Sequence, residues 1–284
     1  MSELSKRNSS LIFAGICFGT TGTAQALGPH SASPLAIGSA RLMIGAALLY
    51  LFHRLKGKGD SNLQNRDLWL GALGVALYQV TFFSAVRSTG VAIGTVTALG
   101  SAPALTGVIA YMITKEKPGK KWFLATIITI VGITVLTTSQ GLALFNIRGF
   151  LLAIGAGASY SFFAVATKRA LKNGATVSDA MYRIFSLAAL ISTPLIFIGD
   201  SDWIGTPRGL AMILWLGLIP TALAYIAYSW GLEKVKASTA STLILAEPAT
   251  ATVLAAIVLS ESINLRGWLG VGVVIAGLIY LSVK

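Results

Sequence analysis

Charged residues are scarce in this sequence. Only 11% of its 284 residues are Asp, Glu, Lys or Arg, whereas 55% are hydrophobic, and the mean hydropathy is +0.75. A soluble domain carries charge on about a quarter of its residues, because a polar surface must cover its core. The composition therefore excludes an ordinary soluble protein and predicts an integral membrane protein.

Residues that form disulfides or bind metals are also scarce. Cys17 is the only cysteine, and the two histidines, His30 and His53, lie at opposite ends of one apolar run. A disulfide within the chain is therefore impossible, and the histidines are not placed to bind a metal together. The sequence contains no Gly-rich phosphate loop, no HExxH and no Ser/His/Asp arrangement. It thus predicts no metal, no cofactor and no enzymatic activity.

The apolar runs are long enough for helices to cross a bilayer, which takes roughly 20 residues each. Ten such runs are present, at 10–28, 33–52, 68–88, 91–113, 121–138, 148–168, 178–199, 209–231, 237–259 and 265–283. We therefore expect an all-α fold of ten transmembrane helices. The polar N-terminus has no cleavage-like site after the first run, which is interpreted as a retained span and not as a signal peptide.

The basic residues predict how these helices are oriented. With ten spans both termini lie on one side, and that side collects most of the lysines and arginines. The opposite side keeps only Arg87, Arg148, Arg208 and Arg266. Because cytoplasmic loops carry the excess of positive charge, both termini are predicted to be cytoplasmic. The net charge of +12 is confined to short clusters between spans, so a lipid bilayer and not nucleic acid is the expected partner.

The two halves of the sequence resemble each other. One constant offset pairs Pro103 with Pro248 and Glu116 with Glu261, and a slightly different offset pairs Arg41 with Arg183. The pattern predicts a five-helix repeat at 1–139, a short periplasmic linker at 140–147 and a second repeat at 148–284. Because five is odd, the second repeat is inverted, and inverted repeats are typical of secondary transporters.

Three segments carry a resemblance to a known family. They are LGSAPALTGVIAYMITKEK, ILAEPATATVLAAIVLSES and SPLAIGSARLMIGAALL. With them the chain resembles the EamA family of the drug/metabolite transporter superfamily over essentially its whole length. The resemblance implies an export carrier that works by alternating access, and its YddG-type members imply aromatic and other amino acids as substrates.

Few ionisable residues lie well inside predicted spans, and Arg41, Arg183 and Glu247 are the costliest of them. Inserting each of them into a membrane at the centre of an isolated helix would cost about 2.5–3.5 kcal/mol of free energy. We therefore expect them to face protein or a water-filled cavity. Glu247 has two interpretations: a carboxylate that takes up a proton or binds a substrate ammonium group, or a structural acid paired with a neighbouring hydroxyl or arginine. The paired positions of Arg41 and Arg183, and of Glu116 and Glu261, favour structural roles for these four.

Prolines, aromatic residues and glutamines complete the candidate site. Pro103 and Pro248 each remove one helix hydrogen bond, which predicts a kink and a possible gating hinge. The expected cavity lining consists of midspan aromatic and amide side chains, together with the Glu247 carboxylate: Gln25, Tyr78, Gln79, Tyr160, Phe163, Tyr225 and Tyr228. Packing between helices is the alternative role of the aromatic residues.

The sequence leaves several functions open. The leading hypothesis is a carrier that exports small neutral or zwitterionic metabolites, with protons as a candidate coupling ion. A carrier of drugs or organic cations from the same superfamily is the alternative. A solute channel is a third, although a channel usually shows rings of charge or a polar pore stripe, and neither is visible. The oligomeric state is open, and a monomer is compatible with the sequence.

Overall fold

The structure is a computed structural model that describes residues 2–56, 62–138, 146–198 and 202–282, with backbone only at 87, 90–93 and 137. Most of the expected linker at 140–147 lies outside these residues. The described parts form helices and no strand. They are α1 Glu3–Ala26, α2 Pro34–Lys56, α3 Asn65–Thr114, α4 Lys120–Thr138, α5 Ile147–Lys172, α6 Val177–Ser192, α7 Pro207–Gly217, α8 Ala224–Lys234, α9 Ala237–Leu243, α10 Ala246–Val258 and α11 Leu265–Ser282.

Eight helical segments of the described chain are long and apolar enough to cross a membrane. They include α2, α5 and α11, both arms of α3, and the composite segments Val177–Phe197, Pro207–Lys234 and Ala237–Val258. Helices α1 and α4 lie at the two remaining expected positions, 10–28 and 121–138, but are not among these eight. The protein is therefore an all-helical, multi-pass membrane protein.

Helix α3 consists of two arms, Asn65–Val86 and Gly94–Thr114. Helix α5 contacts both: its start at Gly149 meets the end of the first arm, and Phe163 meets the middle of that arm at Gly74. Along the second arm the order is opposite, because Gly157 contacts Ser101 and Ser161 bonds to Thr106. The chain therefore reverses between the arms, at the short connection that the sequence places near 88–90.

Helices α4 and α11 meet through paired glycines. Space at Gly132 is limited by the backbone of Val274, and space at Gly277 is limited by Thr129. The offset that pairs Pro103 with Pro248 also pairs Gly132 with Gly277 and Thr129 with Val274, so the two contacts are counterparts. The two non-glycine residues with positive φ, Lys115 at 58° and Ser260 at 55°, are counterparts under the same offset.

Each composite span changes its helical form at a proline: in Val177–Phe197 the α-helix gives way to a 3-10 turn that contains Pro194. Pro248 has no N–H to donate to the carbonyl of Ile244, and that oxygen instead accepts from the N–H of Glu247 at 2.8 Å, so α9 ends before α10 begins. Pro220 lies in a π-helical turn, Leu218–Leu223, where the Thr221 hydroxyl donates to the carbonyl of Leu216 at 2.8 Å. The sequence analysis did not identify this π-helical turn.

Pro103 behaves differently from its counterpart. It lies inside the second arm of α3, and the helix continues through it. Hydroxyl groups bond to the backbone next to it: the carbonyl oxygen of Ala102 accepts from Thr106 one turn later at 2.7 Å and from Ser161 of α5 at 3.2 Å. Membrane helices tolerate proline when neighbours supply such partners.

The end of the bundle at which α1 begins and α2, α5 and α8 end is called the basic face. Ion pairs between the first and second halves of the chain cross it. They join Arg7 to Glu233 at 2.7 Å, Asp67 to Arg169 at 2.5 Å and Glu116 to Lys172 at 3.3 Å. Glu116 also accepts from the backbone N–H of Ala237 at 3.2 Å, whereas its counterpart Glu261 is exposed to solvent.

Candidate functional site

Six aromatic rings from four helices form a contiguous group inside the bundle, called the aromatic cluster. Its members are Phe18 of α1, Tyr160 and Phe163 of α5, Phe185 of α6, and Tyr225 and Tyr228 of α8. The Phe185 and Tyr225 centroids lie 4.4 Å apart, those of Phe18 and Tyr225 4.9 Å, and those of Phe163 and Tyr225 5.4 Å. Tyr225 is thus the central ring.

The inner part of the aromatic cluster is closed to solvent, and its outer part is not. Phe163, Phe185 and Tyr228 are at most 1% exposed, whereas Tyr160 and Tyr225 are half-buried. The Tyr160 hydroxyl donates to the Tyr228 hydroxyl at 3.2 Å, which satisfies a phenol that would otherwise be buried without a partner. Packing therefore explains three rings, and the remaining surface of Tyr160 and Tyr225 is free for a ligand.

Glu247 lies in the first turn of α10, directly after the interruption of its span. This position suits a carboxylate, because the start of a helix carries partial positive charge. Its backbone carbonyl is against Gly19 of α1, next to Phe18 of the aromatic cluster. Among the described residues, the half-buried side chain of Glu247 makes no hydrogen bond or ion pair. A neighbouring hydroxyl was one expected partner, but Thr250, three residues later on α10, does not bond to it.

Arg41 was predicted to be a structural charge, and its surroundings also connect it with the candidate site. On α2 it lies three residues after Gly38, which contacts Gln79, and four before Gly45, which contacts Thr221. Residues at this spacing share one helix face, so Arg41 lies on the face of α2 that packs against the first arm of α3 and the π-helical turn before α8. Its charge acts on Glu247, Tyr78 and Tyr225, and its Nε is buried with no hydrogen-bond partner.

Arg183, the sequence counterpart of Arg41, has a different environment. Its guanidinium pairs with Asp179 one turn earlier on α6, at 3.5 Å, and about a third of the side chain is exposed. An ion pair between neighbouring turns is a sufficient structural reason for this arginine. The two arginines therefore share a position in the repeat without sharing a role, and only Arg41 belongs to the candidate site.

The remaining expected residues divide into two groups. Tyr78 stacks on Phe82 at 5.3 Å, and the charges of Glu247 and Arg41 both act on it, so it borders the site. Gln79 is 2% exposed, with its Oε1 against Gly38 and without a partner, between α3 and α2. Gln25 lies at the end of α1, two turns beyond Phe18, and has no contact that links it to the aromatic cluster.

The sequence analysis missed two rings of the aromatic cluster, Phe18 and Phe185. Each stands alone in an apolar run, and nothing in such a run separates a ring in the core from a ring facing lipid. Phe123, for example, is 62% exposed, whereas Phe185 is completely buried. Only the packing of α1 and α6 against α8 distinguishes them.

The site lies near the middle of the bundle. Glu247 follows the start of α9 by ten residues, and Tyr225 precedes the end of α8 by nine. At 1.5 Å per residue both are roughly 14–15 Å from the basic face, about half of a hydrocarbon core of roughly 30 Å. In the described part of the chain, no group of three His, Cys, Asp or Glu could hold a metal.

An open groove of about 520 Å³ lies elsewhere, between α1, α2, α6 and α8. Ile226, Ala227 and Trp230 of α8 line it, together with Leu223 of the preceding π-helical turn and Lys56 of α2. At 100° per residue the three α8 side chains are on the face opposite to Tyr225 and Tyr228. The groove is therefore distinct from the aromatic cluster, and Glu247 does not line it.

Known proteins are similar to this chain in sequence and in fold. A model of the EamA-like transporter family matches residues 8–138 and again residues 147–283. The uncharacterized transporter YwfM of Bacillus subtilis (strain 168) is 38% identical over 96% of this chain and 92% of its own length. The threonine/homoserine exporter RhtA of Escherichia coli (strain K12) is 31% identical over 54% of this chain and 52% of its own. One crystal structure superposes with a TM-score of 0.85 at 17% identity over 98% of both chains, which shows a common fold.

The apolar helices, the mid-depth site and these relatives define a multi-pass membrane transporter. Because the family model matches twice and covers most of the sequence, the chain belongs to the EamA-like transporter family, in the drug/metabolite transporter superfamily.

Proposed function

We propose that this protein is a secondary carrier that exports amino acids and related neutral or zwitterionic metabolites across the bacterial cytoplasmic membrane. The observation that carries the proposal is the unpaired carboxylate of Glu247, beside half-buried aromatic rings near mid-depth. A carboxylate can bind the ammonium group of an amino acid, and Tyr160 and Tyr225 offer surface to its side chain. The relative named as an exporter of threonine and homoserine supports this substrate class.

The proposal includes ten spans in two inverted five-helix repeats, at 1–139 and 148–284. Its support is the double match of the family model, the counterpart contacts between α4 and α11, and the counterpart positive φ angles of Lys115 and Ser260. Transporters with inverted repeats bind substrate between the halves, near the midplane. The aromatic cluster meets this condition, since Phe18 comes from the first half and Tyr225 from the second.

We further propose that the basic face is cytoplasmic and that its ion pairs close the carrier on that side. The predicted positive-inside orientation supports the first statement. The pairs Arg7–Glu233 and Asp67–Arg169 support the second, because each joins the two halves. The interruption before Pro248 is the expected hinge of span 9, and Pro103 is the expected hinge of span 4.

An exporter of organic cations is the second candidate. A carboxylate among aromatic rings also suits a cationic drug, because a ring face attracts positive charge. Arg41 weighs against it, since its charge acts on the same site and would repel a cation.

Exchange in proteoliposomes tests the proposed function. The purified protein is reconstituted, and exchange of labelled phenylalanine and of labelled threonine is measured with and without a pH gradient. The variants are Glu247→Gln and, as a matched control, Glu261→Gln, whose exposed side chain lies outside the site. We expect saturable exchange that responds to the gradient in the wild type and the control, and a lost response in Glu247→Gln.

Three other outcomes of this experiment would each contradict a different part of the proposal. Exchange that ignores the gradient and survives in Glu247→Gln would leave a facilitative carrier and a structural Glu247. Flux that does not saturate would indicate a channel. Uptake of organic cations without amino-acid exchange would replace the proposed substrate class with the second candidate.

A further inference from the structure

Two opposite charges share the candidate site without pairing. Arg41 and Glu247 act on each other electrostatically, yet no ion pair joins them among the residues that the structure describes. Both also act on Tyr78 and Tyr225, so the two rings lie in the field of both charges. Elsewhere in the same structure, ion pairs close at 2.5–3.5 Å.

Separate packing contacts position these two residues. Close packing at Gly38 and Gly45 fixes the face that Arg41 presents, because added atoms there would meet Gln79 and Thr221. On the other side, the close approach of Gly19 to the Glu247 carbonyl fixes the start of α10 against α1. Arg41 and Glu247 are therefore on separate packed elements, and neither side chain is tied to a protein partner that would neutralise it.

An unpaired charge inside a membrane protein is expensive, and such residues are normally paired or face a water-filled cavity. Two opposite charges that stay apart can both be satisfied by one molecule that carries both complementary charges. An α-amino acid is such a molecule, since a single carbon separates its ammonium group from its carboxylate. A simple amine would pair only with Glu247 and would be repelled by Arg41. A simple carboxylate would pair only with Arg41 and would be repelled by Glu247.

We propose that Arg41 and Glu247 form a zwitterion clamp, in which Arg41 binds the carboxylate of an α-amino acid and Glu247 binds its ammonium group. The side chain of the substrate then lies against Tyr78 and Tyr225. The clamp rests on the proposed function and deepens it, because it assigns the two charged ends of the substrate to two residues. Arginine suits the carboxylate, since its planar guanidinium can donate two parallel hydrogen bonds.

Competition by truncated substrates tests the clamp. Exchange of labelled phenylalanine is inhibited with unlabelled phenylalanine, with phenethylamine, which lacks the carboxylate, and with 3-phenylpropanoate, which lacks the ammonium group. In the wild type, both truncated compounds should inhibit at least about tenfold more weakly than the amino acid, which corresponds to about 1.4 kcal/mol. Threonine, 1-aminopropan-2-ol and 3-hydroxybutanoate form the parallel series.

The variants separate the two ends of the clamp. Arg41→Gln should remove most of the preference for phenylalanine over phenethylamine and keep its preference over 3-phenylpropanoate. Glu247→Gln should do the opposite. Arg183→Gln is the matched control, since Arg183 is the sequence counterpart of Arg41 and is paired with Asp179. The control should keep both preferences.

A binding measurement also covers variants that bind substrate but do not transport it. Ligand-induced thermal stabilisation in detergent should show the same pattern, with Arg41→Lys and Glu247→Asp retaining both preferences in weakened form. Equal loss of both preferences in each variant, or loss in neither, overturns the clamp while the amino-acid carrier stands. If the wild type neither exchanges nor binds any amino acid, the proposed function fails and the clamp fails with it.

Discussion

Lys168 should be one of the most important charged residues for stability, although it lies far from the candidate site. Its side chain is 4% exposed, and its Nζ donates to the carbonyls of Leu232 at 2.7 Å, Glu233 at 3.1 Å and Val235 at 2.8 Å. Those carbonyls terminate α8, and the last carbonyls of a helix have no partner within it. The ammonium group of α5 therefore caps α8 and fixes these two helices together at the basic face.

The change Lys168→Met keeps most of the length of the unbranched side chain and removes the ammonium group. One hydrogen bond to a charged group contributes about 1.5–3 kcal/mol, but three bonds to one ammonium group are not additive, and burying the charge has its own cost. We expect a net loss of about 3 kcal/mol in the free energy of unfolding. For a chain of this size that is a decrease on the order of 5–10 °C in Tm.

Thermal unfolding in detergent, followed by tryptophan fluorescence at one scan rate, measures the effect. Lys172→Met is the matched control, one turn later on α5. The Lys172 side chain is 51% exposed and reaches Glu116 at 3.3 Å, and an exposed ion pair contributes at most about 1 kcal/mol. If the Tm of Lys168→Met were within about 1 °C of that of the control, the capping of α8 would contribute nothing measurable to stability. That result would refute this reasoning.

Three further changes test the packing and the site. Gly270→Ala places a methyl group 2.5 Å from the backbone of α4 and should cost about 1–3 kcal/mol, whereas Gly272→Ala on the same helix meets nothing and should be neutral by thermal unfolding. Asp67→Asn breaks the ion pair of the completely buried Asp67 with Arg169 and should cost about 3–5 kcal/mol of unfolding free energy, and equal Tm values for variant and wild type would contradict this. Tyr228→Phe keeps the stacked ring and loses a single hydrogen bond, so it should cost about 0.5–1.5 kcal/mol, and a larger loss would mean that the aromatic cluster depends on this bond.

Much of the fold could be predicted because a bilayer restricts the choices. A membrane-spanning helix must be apolar over roughly 20 residues, so the described helices fall at the expected positions. Family membership could also be predicted, because the motifs around Pro103 and Pro248 repeat with their glutamates. The consequences of these prolines could not be predicted. The helix breaks before Pro248, but it continues through Pro103, where the Ser161 hydroxyl of α5 bonds to the Ala102 carbonyl.

Part of the candidate site was also visible in the sequence. Glu247 stood out because of its cost in a membrane, and the pairs Tyr160–Phe163 and Tyr225–Tyr228 stood out because of helical spacing. Spacing along one helix, however, cannot show which faces of different helices meet. For that reason Phe18 and Phe185 were missed.

The sequence by itself determined the all-helical membrane character, the family and the internal similarity of the halves, since composition and periodicity are local properties of the chain. Only the tertiary structure decided what each buried charge does. Arg41 and Arg183 are equivalent in the sequence, but Arg183 meets Asp179 on its own helix, whereas Arg41 faces Tyr78 and Tyr225 across the bundle. The cost of a charge in a membrane depends on its neighbours in space, and those neighbours come from helices far apart in the chain.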